Sequence, residues 1–142
     1  MKSVPLILRA RHDDLWQGWT DAVRDVVAED YRELIASQVG ERMVRSLTND
    51  FVDCGEAEPY ELPGLVRRAE ERGAGEAASR VELGFELLDM VRALQVLRGV
   101  VLDVLADALA TDEMPSFADT LDQLKAVDAL LDGVINAIYA LA

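Results

Sequence analysis

The sequence predicts an all-helical fold in one domain. Three observations carry that prediction. The chain has 142 residues, 51% of them hydrophobic; apolar residues recur three or four apart over most of its length; and no strand-like alternation interrupts them. Leu, Ala, Val, Asp, Glu and Arg dominate, with only four prolines and nine glycines between them, a composition that favours helix. A chain of this size buries most of its apolar surface without staples.

From Leu6 to Ala28, the residues Leu6, Leu15, Trp16, Trp19, Val23, Val26 and Val27 keep helical spacing. They predict one amphipathic helix with Asp13 or Asp14 as its cap. Asp30-Tyr31 reads as a short break. A second helix runs through Leu34, Ile35, Val39, Met43, Val44, Leu47, Phe51 and Val52 and ends near Cys54-Gly55, where glycine suits a terminus. Glu56 to Pro63 holds two prolines and three glutamates and is the most loop-like stretch.

A third helix is expected from about Leu62 to Arg72, with Leu65, Val66 and Ala69 inward. Gly73-Ala74-Gly75 either breaks it or thins it for close packing, and the helical pattern resumes from Glu76 to Leu83. Gly84-Phe85 interrupts again, since a mid-helix glycine costs about 1 kcal/mol. Glu86 to Ala110 is the longest clean helix. Leu87, Val91, Leu94, Val101 and Leu105 form one apolar stripe, Leu88, Leu102 and Leu109 a second, and Met90, Leu97 and Val104 a third. The polar edge left over runs through Asp89, Arg92, Gly99, Asp103 and Asp107. Such a helix is expected to be buried on several sides, at the centre of the domain or shared with a second subunit.

Thr111 to Ser116 reads as a turn, with Ser116 and Asp119 spaced as a capping box. The last helix carries Phe117, Leu121, Leu124, Leu131, Val134, Ile135, Ile138 and Leu141 as inward residues and reaches the chain end without a stop signal.

Charge narrows the function classes. The first fifty residues carry seven Lys and Arg against nine Asp and Glu; residues 51–100 carry six against ten. Residues 101–142 carry eight acids and one base, Lys125. Nucleic-acid binding needs a basic footprint, and anionic membranes select the same sign, so neither is expected. No window approaches the roughly 20 apolar residues of a membrane span, and Val4 to Leu8 is too short for a signal peptide core. The lone Cys54 fits a reducing compartment; the chain is expected to be cytoplasmic.

Catalytic signatures are lacking. The one histidine, His12, sits among Arg11, Asp13 and Asp14 and reads as a surface residue, not a haem or metal ligand. There is no Glu-x-x-His pair for a di-iron site, no phosphate loop, and no Ser–His or Cys–His arrangement. No cofactor, metal or catalytic residue is expected. Trp16 and Trp19 share a helix face as core, interface or pocket lining. Gly84-Phe85 is either a fixed corner or a hinge. Arg98 falls on an apolar stripe, so it either meets a carboxylate such as Asp128 or Asp132 or reaches water along its stem.

The pattern Arg80, Gly84-Phe85, Leu88, Val91, Arg92, Leu94, Leu97 and Arg98 resembles the second half of a known domain. It is the N-terminal sensor domain of the RsbR-type stressosome co-antagonists and related sensor histidine kinases. The Trp16–Trp19 helix is similar to that domain's opening, and the final helix to its close. The resemblance implies a globin-like helical bundle of about five to seven helices without haem. It further implies a homodimer that passes a signal to a C-terminal output domain, STAS or kinase. No such domain follows Ala142, which implies a fragment or a stand-alone relative.

The expected function is therefore a non-enzymatic signal-sensing module, with Arg80, Gly84, Phe85 and Arg98 as hinge and relay. Two alternatives stand beside it. One is a small-molecule domain with an apolar pocket lined by Trp19, Met43, Phe51 and Phe85. The other is an adaptor that docks a basic partner protein on its acidic C-terminal face.

Overall fold

A computed structural model describes residues 3–111 and 116–142. Seven α-helices and no strand occur among them: α1 (Val4–Ala10), α2 (His12–Ala22), α3 (Glu29–Ala36), α4 (Gln38–Glu56), α5 (Leu62–Glu82), α6 (Leu87–Ala110) and α7 (Phe117–Tyr139). The chain is an all-α bundle, as its periodicity predicts. The expected turn at Thr111 to Ser116 and the inward side chain of Phe117 lie largely outside the described residues. Ser116 does cap α7, its Oγ accepting the Asp119 N–H at 3.3 Å.

The expected first helix is two. Arg11 leaves helical geometry at φ −98°, ψ 33°, which ends α1 and starts α2 at His12. Asp13 and Asp14 sit in the first turn of α2 but do not cap it; their charge there complements the helix dipole. α2 ends at Ala22 and residues 23–28 are not helical, so the break expected at Asp30-Tyr31 falls just before it, and a further break falls at Ser37. The Ser37 hydroxyl donates to the Leu34 carbonyl and accepts the Val39 N–H, so one side chain closes α3 and caps α4. Tyr31 lies inside α3 and is buried.

α5 runs unbroken through Gly73-Ala74-Gly75. A Cβ on Gly73 would stand 2.7 Å from Val134 Cγ1. The glycine therefore thins α5 where it lies along α7, and buried Ala69 and Ala77 continue the same close face.

α6 packs on α1, α2, α5 and α7 and supplies much of the core. Two of its three stripes are inward: Val91, Leu94, Val101 and Leu105 are buried, as are Met90, Leu97 and Val104. The remaining stripe is not. Leu88, Leu102 and Leu109 are 50%, 47% and 65% exposed. On α7, Leu131, Val134, Ile135 and Ile138 are buried as expected, while Leu121, and Leu141 just past the helix end, face solvent. In both helices the apolar residues exceed what their neighbours cover, so part of the apolar circumference of each is left in solvent.

The indoles act as cross-ties. Trp19 is fully buried and its Nε1–H donates to the Ala93 carbonyl of α6 at 2.8 Å. Trp16 donates to the Ile35 carbonyl near the end of α3, also at 2.8 Å. Each thus buries a large apolar ring while its one polar atom is met. The Val4 N–H reaches Gln123 Oε1 at 2.7 Å and ties α1 to α7.

Candidate functional site

α5 ends in a Schellman motif. The Phe85 N–H donates to the Arg80 carbonyl at 3.1 Å and the Gly84 N–H to the Val81 carbonyl at 3.0 Å. Gly84 takes φ +98°, a conformation that costs glycine little and other residues more. The Gly84-Phe85 interruption in the sequence is thus a hydrogen-bonded corner. Its phenylalanine turns inward, edge-on to Tyr31 with ring centroids 5.8 Å apart and planes at 68°, an arrangement aromatic quadrupoles favour.

Arg80, one turn before the corner, faces into the bundle. Its side chain is only 16% exposed, and Glu76 Oε2 lies 3.7 Å from Nη1. A crevice of about 50 Å³ opens there between α3, α4, α5, α6 and α7. Tyr31, Asp50, Arg72, Glu76 and Arg80 give it polar walls, and Met90, Leu94, Val134 and Ile138 an apolar floor. Asp50 and Arg72 are paired with each other. Burial pushes the Asp50 carboxyl up, against the opposing pull of Arg72. Burial also pushes the Tyr31 phenol up to about 12, with the positive charge of Arg80 partly offsetting it.

The second polar constellation joins α6 to α7. Arg98 Nε stands 2.7 Å from Asp128 Oδ1, and Nη2 meets Asp132. The Nε contact is off line for a hydrogen bond, so Asp128 acts as a charge neighbour and Asp132 as the acceptor. Of the two fates open to Arg98, the carboxylate pairing is the one realised. Beside it runs an open apolar groove of about 300 Å³, floored by Val101, Leu124, Val127 and Leu131 and edged by Leu102 and Leu121.

Of the four candidate pocket residues, only Met43 lines the crevice. Trp19 and Phe51 are packed into the core, and Phe85 is half-buried at the corner, beside an outer groove with Val81 and Leu141. These aromatics share a chemical type but not a cavity. The hinge residues fare differently: Arg80, Gly84 and Phe85 do meet at one corner, while Arg98 lies further along α6.

Three polar residues were misplaced or missed by sequence reasoning. His12 is buried at 9% exposure, with Nε2 3.4 Å from Glu41 Oε1 on α4; the break at Arg11 turns it inward. The Glu41 carboxyl is held down by its hydrogen bond to Arg45, with the neighbouring His12 adding to this. Asp89, assigned to the polar edge of α6, is buried, and its Oδ2 accepts the Ala28 N–H at the start of α3. Tyr31, placed in a break, is the aromatic wall of the crevice. Its helical spacing from Ile35 was the available signal.

No family model, no curated protein and no solved structure matches the chain. The class the fold defines is an all-α bundle. No helix among the described residues is long and apolar enough to cross a membrane.

Proposed function

We propose that the chain is a non-enzymatic signal-sensing module that works as a homodimer and relays a change through α6 and α7 to a C-terminal output domain, STAS or histidine kinase. The observation that carries this reading is the uncovered face of α6. Leu88, Leu102 and Leu109 recur at seven-residue multiples, with exposed Gln95 at the intervening position, and Leu121 of α7 extends the patch. A heptad row with leucine at three of its four positions, exposed to water, suits a partner helix with the same pattern. The small exposed residues Gly99 and Ala106 between these leucines allow a close approach.

The resemblance of Arg80 to Arg98 to the RsbR-type sensor domains supports the same reading, including a globin-like arrangement without haem and a cytoplasmic setting. The relay needs an element whose two arrangements the signal biases differently. The pair α6–α7, clamped by Arg98, is that element.

Sedimentation velocity at tens of micromolar tests the reading. The expected result is a dimer that Leu102→Glu converts to monomer. A sharp wild-type monomer overturns it. A Soret band of defined stoichiometry after haem reconstitution would overturn the non-haem part.

A further inference from the structure

We infer that the crevice at Arg80 and Tyr31 binds a small planar oxyanion, of the size of formate, nitrate or bicarbonate, with the Arg80 guanidinium as its cation and the Tyr31 hydroxyl as a second donor.

Two side-chain donors, on Tyr31 and Arg80, line the crevice. Buried polar groups in folded proteins are hydrogen-bonded almost without exception. Arg72 on the crevice wall has Asp50. Arg80 is shielded more deeply, yet the one carboxylate paired with it among the described residues stands 3.7 Å away, beyond hydrogen-bond reach. Tyr31 is buried too, and its own polar contact outside the helix ladder is through its backbone N–H, to Asp30. Its phenol has no acceptor among the described residues. With its ionisation pushed up to about 12, that phenol keeps its proton throughout the physiological range. Arg80, held only by its ion pair with Glu76 at 3.7 Å, and the Tyr31 hydroxyl therefore line one open crevice with no protein hydrogen-bond acceptor among the described residues. Both stay within reach of solvent.

Size and shape select the ligand class. A water needs about 10–15 Å³ of such space, so about 50 Å³ holds roughly three to five water-sized groups, the scale of a small oxyanion. A guanidinium presents paired N–H groups that match a planar oxyanion in a fork. The floor of Met90, Leu94 and Val134 lowers the local dielectric and strengthens both contacts. Glu76 is half exposed, so its carboxylate can turn to water as the anion takes its place.

The site also touches the corner. The Arg80 carbonyl accepts the Phe85 N–H, and the Phe85 ring leans on Tyr31, so an anion held by Arg80 and Tyr31 bears on both sides of the α5–α6 turn. That link deepens the relay reading; the binding itself does not depend on it.

Amide NMR of the full chain, titrated with sodium formate against sodium chloride at equal ionic strength, tests the site. The expected result is saturable shifts centred on Tyr31, Arg80 and Phe85 with formate alone. Arg80→Gln should abolish saturation, Tyr31→Phe should weaken binding about tenfold, as for one hydrogen bond to a charged group, and Arg98→Gln should leave it unchanged. Linear shifts shared with chloride would mean that water alone fills the crevice and would overturn the proposal. If Arg80→Gln does not fold, an unaltered affinity in Tyr31→Phe overturns it equally. A monomer in sedimentation would leave these outcomes untouched, so failure of the dimer and failure of the anion site are distinguishable.

Discussion

Arg98 of α6 lies 2.7 Å from the Asp128 carboxylate of α7 and also grips Asp132, one turn further along. A single guanidinium thus spans two carboxylates spaced four residues apart and ties α6 to α7. Both acids are about half exposed, so water competes for them and the clamp is modest in energy.

Exchanging Arg98 for Met is therefore expected to cost roughly 1 kcal/mol. A double-mutant cycle with Asp132→Asn should return a coupling of about 0.5–1 kcal/mol that shrinks in high salt. Urea unfolding of the four proteins measures it. Strict additivity would show that the clamp contributes nothing.

Gly84→Ala should destabilise the chain by about 1 kcal/mol. A Cβ there would meet nothing within 4 Å, so the loss comes from the backbone conformation alone. Gly84→Asn should cost less, because asparagine tolerates the left-handed region better. Equal stability for all three proteins would contradict a corner held at positive φ.

Gly73 and Gly75 of α5 are expected to respond with opposite signs. Gly75 has open space around it, and Gly75→Ala should stabilise by about 0.5–1 kcal/mol through helix propensity. Gly73→Leu should cost about 1–3 kcal/mol by driving into Val134. Val134→Ala in that background should recover part of the loss. Thermal melts of the single and paired variants decide the matter.

Tyr31 predicts an alkaline limit. Its folded ionisation is pushed up to about 12 from an ordinary value of 10.0. An acid whose folded pKa is raised lends stability that is complete below pH 10 and vanishes as pH climbs through 12. The loss over that window is about 2–3 kcal/mol. Comparing urea midpoints at pH 9 and pH 12 should show Tyr31→Phe losing less than wild type. An equal fall in both would assign alkaline instability to other groups.

Much of this fold was legible because helical spacing is a local property. α6 and α7 emerge from their leucines, and the Arg98 partners from the fact that Asp128 and Asp132 recur one turn apart on the acidic helix. What stayed hidden depends on neighbours. His12 sits in a charged run, and only the kink at Arg11 turns it against α4. Asp89 occupies a polar edge by periodicity, yet α3 begins directly over it. Tyr31 reads as part of a break because the true break, residues 23–28, lies just before it and keeps the helical spacing of Val23, Val26 and Val27. The crevice itself gathers residues from five helices, a juxtaposition no single segment encodes.

The notch at Gly73 has a mechanical consequence. Sliding α7 along α5 by one turn, about 5.4 Å, would carry Val134 off the glycine and onto the methyl of Ala69 or Ala77. Both alanines are already buried in the contact, so neither has room for it. Axial travel is therefore opposed at this contact. Gly73 and Val134 set the register of α7 on α5, and the Arg98 ion pair ties α7 to α6.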